Sequence, residues 1–245
     1  MEDFVHLHVH TYYSILDGQA SIEKLVDKAI GNGMKGMAVT DHGNMFGIKE
    51  FFDVCNKKNG KLKEAGKEPF KPIFGCEVYV ANGKKESKIK EHGDLTRYHL
   101  ILLAKNKTGY KNLVKIVSRA WVDGYYMRPR TDHDDIERFH EGIICCSACL
   151  AGELPRKILK GDVAGAEETL LWYKRVFGDD YYVELMRHEV KDPTIRANRE
   201  TFPEQQKANR VLIELARKHG VKLVCTNDSH SWTRKTPRRT TTCSA

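Results

Sequence analysis

Histidine, carboxylate and cysteine side chains recur along this sequence at spacings a metal centre would use. Two histidines stand two apart in His8-Val9-His10, and Asp228-Ser229-His230 repeats that spacing near the other end. In an extended chain, residues i and i+2 face the same side, so each pair addresses one site. Between them come Asp17 in a loop closed by Gly18, the run Asp41-His42-Gly43-Asn44, Glu77 in Phe-Gly-Cys-Glu-Val, His99 after Arg97-Tyr98, and Cys149 in Ala-Cys-Leu. The candidate ligands are therefore His8, His10, Asp17, His42, Glu77, His99, Cys149, Asp228 and His230. One zinc ion takes about four donors, so this set suits two or three clustered divalent ions, with carboxylates bridging them. Mixed nitrogen and oxygen ligation fits zinc, manganese or iron without choosing among them. Divalent ions roughly 3.5–4 Å apart are a common device for hydrolysing phosphate esters, with metal-activated water as the nucleophile and no catalytic side chain beyond the ligands.

Each of these motifs is weak alone, because most histidines in globular proteins are ordinary surface or core residues. The joint placement carries the signal. His6 shares the first segment but lies deeper, outside the ligand set. Asp41 reads as a residue that orients His42 or caps a turn. Cys149 competes with Cys145 and Cys146. His92, His133, His140, His188 and His219 stand in polar segments and read as solvated.

The placement depends on the elements that carry these residues. Short apolar runs predict strands over 4–8, 36–40, 72–80, 99–104, 142–146, 182–185 and 222–225. Amphipathic segments predict helices over 21–30, 47–56, 109–121, 163–177 and 203–218, with a short one over 154–159. Ser21 stands where a helix N-cap belongs, and Gly31 and Gly220 where helices stop. About seven strand–helix alternations predict an α/β fold with a parallel sheet, better closed as a distorted barrel than left open. Barrel chemistry sits at the C-terminal strand ends, and most of the candidate ligands fall there.

With 245 residues, 40% hydrophobic and 30% charged, the chain has the makeup of a globular domain with a full core. No stretch has the length of a membrane span and no signal peptide opens the sequence, so the expected location is cytoplasmic. Seven cysteines without regular spacing argue against a disulfide framework. The net charge of +8 includes four basic residues and no acid in residues 231–245; the rest carries +4, concentrated in 56–71 and 83–90. Those lysine-rich stretches read as solvated loops. Tyr12 and Tyr13 are candidates for stacking on an unpaired base, or core packing beneath the site. Arg128 and Arg130 are candidates for contacting phosphates, or partners of acids such as Asp132.

The sequence resembles the PHP (polymerase and histidinol phosphatase) domains, in the form that opens the alpha subunit of bacterial replicative polymerases. The matching stretches are His6-Leu-His-Val-His-Thr11 with Tyr13-Ser-Ile-Leu-Asp-Gly18, Thr40-Asp-His-Gly-Asn44 and Phe74-Gly-Cys-Glu-Val-Tyr-Val80. They continue through Tyr98-His-Leu-Ile-Leu-Leu-Ala-Lys105, Thr108-Gly-Tyr-Lys-Asn-Leu-Val114, Ser147-Ala-Cys-Leu-Ala-Gly-Glu153 and Thr226-Asn-Asp-Ser-His230. The Thr-Gly-Tyr-Lys-Asn-Leu and Ser-Ala-Cys-Leu-Ala-Gly-Glu stretches point to the polymerase branch. The resemblance implies a distorted (βα)7 TIM-like barrel with a trinuclear metal site held by the nine residues above, Cys149 standing where phosphatase relatives have histidine. It implies a 3′–5′ exonuclease acting on the DNA primer end. It implies a DNA-directed DNA polymerase as parent, using magnesium for polymerisation and meeting the sliding clamp and other replisome subunits. A phosphatase acting on a small phosphate monoester and a non-catalytic scaffold domain are the alternative readings.

Residues 231–245 break the pattern, having no apolar period and no capping logic. The expected organisation is a metal-binding domain over 1–230 followed by an aberrant tail. A one-base slip of reading frame after His230 accounts for it. Codons chosen for the tail spell, out of register, the acidic helix-forming run Val-Asp-Glu-Glu-Asp-Ala-Glu-Ala-His-Asp-His-Leu-Leu. On this expectation the tail truncates a polymerase, and its charge and Cys243 carry no function.

Overall fold

The structure is a computed structural model that describes residues 4–89, 95–190, 192 and 194–231. The expected tail over 231–245, except Ser231, and His92 lie outside the described residues.

Among the described residues, seven strands form one curled sheet: β1 (Gly36–Val39), β2 (Lys71–Ala81), β3 (Arg97–Ala104), β4 (Arg130–Thr131), β5 (Ile143–Cys146), β6 (Tyr181–Leu185) and β7 (Lys222–Cys225). The spatial order is β1-β2-β3-β5-β6-β7, with β4 beside β2. Among the described residues, seven α-helices pack around it: α1 (Ile22–Gly31), α2 (Ile48–Glu64), α3 (Lys107–Val122), α4 (His133–Arg138), α5 (Glu153–Leu159), α6 (Val163–Phe177) and α7 (Phe202–His219).

The sheet is not all parallel, as the strand–helix alternation had predicted. Pairs β1–β2, β5–β6 and β6–β7 are parallel, but β3 runs antiparallel to both β2 and β5. No helix among the described residues joins β2 to β3, so the chain returns directly beside β2 in the opposite sense. The expected first strand over 4–8 is also not a regular strand. His6 bridges Met37 on one side, and after a bend at His8, Val9 bridges Ser229 on the other. The bend interrupts the pairing, so each side keeps an isolated bridge and no ladder. Its backbone is still held on both sides: Ala38 N donates to His6 O (2.8 Å), Thr40 N to Val9 O (2.9 Å) and His10 N to Ser229 O (2.8 Å).

The helix expected over 47–56 continues to Glu64, so much of the lysine-rich stretch is a solvated helix face rather than a loop. Asn59 ties it down, its side chain exchanging hydrogen bonds with the backbone N–H and C=O of Phe70. Ser21 does precede α1 in an extended conformation, but its side chain makes no capping hydrogen bond. Gly220 closes α7 in the left-handed conformation, at φ 62°.

Period-two alternation divides the strand residues between two faces. Outward residues such as Cys76, Val78, Val80, Leu100, Leu102, Cys145, Tyr181 and Val183 pack under helices α3 and α5–α7. A second cluster joins β1 to α1 and α2 through Met37, Val39, Val26 and Phe51. The concave face holds a smaller cluster of Ala38, Ile101, Leu103, Cys146 and Ala148, with Leu7, Ile73, Tyr182 and Val224 against it. One cluster drawing on six strands requires the sheet to curl around it. Each fully buried aliphatic side chain here contributes about 1.5–3 kcal/mol of burial free energy.

Candidate metal centre

The alternation that buries Cys76 and Val78 outward turns Glu77 inward, and that of Leu100 turns His99 inward. His99 opens its strand instead of ending it. Because β3 is antiparallel, its first residues lie beside the end of β2, with His99 opposite Tyr79. The reversed strand therefore delivers its ligand to the same rim as the others.

All nine candidate ligands meet in one cluster. His8 Nε2 lies 2.9 Å from Glu77 Oε2 and 3.2 Å from Asp228 Oδ1. His42 Nδ1 lies 2.5 Å from Glu77 Oε1, and His99 Nδ1 lies 2.8 Å from the same oxygen. Asp17 Oδ2 is 3.2 Å from His42 Nε2 and 3.7 Å from His230 Nε2. Cys149 Sγ is 3.7 Å from His99 Nδ1. Seven of the nine fall into three overlapping groups: His8, His10, Glu77 and Asp228; His42, Glu77 and His99; and His10, His42 and His230, with Asp17 and Cys149 beside them. His8, His10, Glu77 and His99 are buried, and the other five are half-buried at the mouth.

Hydrogen bonding fixes the tautomer of His10. Ser14 Oγ gives its proton to Asp41 Oδ1 (2.7 Å), so at 3.0 Å it accepts from His10 Nδ1–H. Burial first, and repulsion by His42, lower the His10 pKa to about 3, so the ring is neutral. Its Nε2 is then a bare lone pair, buried, 3.2 Å from the Asp228 carboxylate. His10 Nε2, Asp17 Oδ1 and Asp228 Oδ1 are all buried without a hydrogen bond among the described residues. Electron-rich atoms facing one another in a buried site are unfavourable unless a cation lies between them. The residues present therefore fit divalent metal ions.

Electrostatics converge on Glu77. Burial alone would raise its pKa, but the His99 and His42 rings, with hydrogen bonds from His42 and His8, hold it well below the carboxylate range. Burial likewise opposes a charged His42, yet Glu77 and Asp17 raise its pKa to about 10.

Local backbone serves the site. Ala148, beside Cys149, and Asp228 adopt left-handed conformations at φ 63° and 47°, which non-glycine residues rarely take and which cluster at functional sites. A Cβ on Gly18 would stand 1.8 Å from Thr11 O, so only glycine closes the loop that presents Asp17. Asp41 organises that loop instead of contacting the His42 ring: its carboxylate accepts from Thr11 N (2.7 Å), Thr11 Oγ1 (2.8 Å) and Ser14 Oγ.

The remaining assignments divide. His6 packs edge-on against Phe4 at 4.9 Å, outside the cluster. Tyr12 is exposed with its hydroxyl donating to Glu50, and Tyr13 packs against the α1–α2 core. Arg130, a candidate for contacting phosphate or for pairing with an acid such as Asp132, is 1% exposed. Its guanidinium donates to the carbonyls of Gly124, Lys85 and Ser87, so it is a structural residue. Arg128 is half-buried. His133, expected in solvent, stacks on Trp172 at 4.1 Å and bonds Glu153. One residue of the site was missed. Glu184, 2% exposed, contacts His8 Nδ1 at 3.2 Å. Its signal is a carboxylate in a buried strand with the same parity as inward-facing Tyr182.

The chain is 44% identical to the DNA polymerase III subunit alpha of Borreliella burgdorferi over 227 residues, which is 93% of this chain and 18% of that protein. It is 40% identical to the corresponding subunit of Aquifex aeolicus over 234 residues, 94% of this chain and 18% of that one. The chain thus spans under a fifth of the length of these relatives. An amidohydrolase from Chromobacterium violaceum shares the fold with a TM-score of 0.54 at 13% identity, over 92% of this chain and 87% of that one. A proposed metal-dependent phosphoesterase from Bifidobacterium adolescentis has a TM-score of 0.50 at 13% identity, over 96% and 90%. The PHP domain profile matches residues 6–188, and this chain belongs to the PHP domain family.

Proposed function

We propose that this chain is the PHP domain of a replicative DNA polymerase and that its nine-residue cluster is a phosphodiesterase centre trimming the 3′ end of DNA. The observation that carries the reading is the bare, buried Nε2 of neutral His10 facing Asp228, beside a Glu77 carboxylate shared by two donor groups. The relatives that match over 93% of the chain support the polymerase setting.

Two or three divalent ions bound there would supply Lewis acidity toward a phosphoryl group and a nucleophile near neutral pH. The protein side does the positioning. Glu77 presents one oxygen to His8 and the other to His42 and His99, so it links the two halves of the cluster. Asp17, His42 and His230, each little more than a tenth exposed, form the mouth where a phosphodiester would enter. Tyr12, in the loop that also carries Asp17 and 39% exposed, offers a ring face to an unpaired terminal base. The bridges of the first segment to both β1 and the chain after β7 support closure into a distorted (βα)7 barrel. Magnesium-dependent polymerisation and contacts with the sliding clamp belong, on this reading, to the parent protein. A cytoplasmic location accords with it, and no described helix is long and apolar enough to cross a membrane.

The test is degradation of a 3′-labelled single-stranded oligonucleotide by the full chain with added Mn2+ or Zn2+. Release of mononucleotides from the 3′ end, lost on chelation and in Asp228→Asn, is the expected result. Hydrolysis of a phosphate monoester with the oligonucleotide left intact would replace it with the phosphatase reading. Tight metal binding with neither substrate attacked would leave a scaffold.

A further inference from the structure

Glu184 lies one residue before the end of β6 and belongs to none of the three donor groups, yet it joins segments that carry the ligands. Its Oε1 accepts from Thr226 Oγ1 at 2.6 Å and meets His8 Nδ1 at 3.2 Å. Its Oε2 accepts from the backbone N–H of Ala148 at 2.6 Å. Its own N–H donates to Ser147 Oγ at 2.8 Å. These partners belong to three separate ligand-bearing segments. His8 is in the first segment, Ser147 and Ala148 precede Cys149, and Thr226 precedes Asp228 and His230.

We infer that Glu184 is the positioning residue of this centre. Its carboxylate fixes the proton of His8 on Nδ1, turns the Nε2 lone pair toward Glu77 and Asp228, and locks the Cys149 loop to the Asp228–His230 segment. The inference rests on the metal-centre reading above. A carboxylate behind a metal-binding histidine sets both tautomer and ring orientation.

The hydrogen-bond arithmetic makes Glu184→Gln informative. All three partners donate to the carboxylate. If the amide oxygen keeps the bond to Ala148 N–H, the amide NH2 faces Thr226 and His8. The Thr226 hydroxyl can turn and accept. His8 can accept only by moving its proton from Nδ1 to Nε2, which removes the lone pair the site needs. If the amide is placed the other way, its NH2 opposes the Ala148 N–H in a buried site. Either arrangement damages the donor group of His8, His10, Glu77 and Asp228 while leaving every ligand side chain in place.

The experiment uses the full 245-residue chain, labelled with 15N-histidine and titrated with Zn2+. In the zinc-loaded wild type, His8 is expected to carry its proton on Nδ1 and to bind through Nε2. In Glu184→Gln, one zinc is expected to bind about 10–100-fold more weakly, the range seen when such an outer carboxylate is lost. Glu184→Asp, which keeps the charge on a shorter arm, should fall between the two. A purely structural role would lower the unfolding midpoint without moving the zinc affinity or the His8 tautomer, and that result overturns the inference. Should Glu184→Gln not fold, the wild-type spectrum decides: His8 bound through Nδ1, or lacking its Nδ1 proton, also overturns it. A wild type that takes up no zinc removes the metal-centre reading and this inference with it. Equal zinc affinity in wild type and Glu184→Gln removes this inference alone.

Discussion

Substituting Glu77 by glutamine probes the hub of the cluster. The carboxylate is fully buried and lies 2.9, 2.5 and 2.8 Å from His8, His42 and His99. Glutamine preserves its shape and removes its charge. In the metal-free protein at neutral pH, the His42 imidazolium that Glu77 holds protonated then loses its counter-charge. Removing one partner of a buried ion pair costs about 3–5 kcal/mol. For a domain of this size each kcal/mol moves the melting temperature by about 2–4 °C, so a fall of about 6–20 °C is expected. Thermal unfolding followed by circular dichroism in chelator measures it. The His42 pKa, raised to about 10 in the wild type chiefly by Glu77 against burial, should drop in the same variant and is read by NMR titration. Because Glu77 belongs to two of the three donor groups, metal uptake should fall by more than one ion per chain. A variant with unchanged melting temperature and unchanged metal uptake would refute the placement of Glu77 at the hub.

Arg130→Lys should destabilise without touching the centre. A lysine cannot span the three carbonyls that the guanidinium reaches, and each buried carbonyl left unsatisfied costs about 1–3 kcal/mol; urea unfolding should show the loss, with metal uptake unchanged. Burial would raise the Glu153 pKa, but His133 and Lys157 outweigh it and lower it below 4.5. Its contribution to stability is thus fully present above that pH and is lost as pH falls through the lowered folded value. Glu153→Gln should therefore flatten the acid limb of a stability-versus-pH curve, and an unchanged limb would remove that pair from the account. Leu102→Ala, in the fully buried core under α3, should cost about 2–5 kcal/mol by the same urea assay.

Much of the site could be read before the fold because its ligands interrupt apolar strands at fixed spacings. His8 and His10, and Asp228 and His230, are paired in sequence, and Glu77 and His99 are polar residues inside runs that must otherwise be buried. Glu184 has the same kind of placement but no second donor beside it. Its role depends on Thr226 and Ala148, 42 and 36 residues away. Arg130 misled for a related reason. A basic residue in Tyr-Tyr-Met-Arg-Pro-Arg resembles a surface phosphate contact until the carbonyls of Lys85 and Ser87 are seen to enclose it. The direction of β3 was not legible because the length of a connection does not show whether a helix fills it. The first segment failed as a strand because hydrophobic pattern reports burial, and not the bend at His8 that reduces its pairing to isolated bridges.

The central claim is that the cluster exists to hold metal. Elemental analysis of the purified full chain, beside a His8→Ala/His10→Ala double variant, tests it most directly. The account predicts two or three divalent ions per chain in the wild type and their loss in the variant. Less than one ion per chain in the wild type after incubation with Zn2+ and Mn2+, or the same content in both proteins, would contradict it.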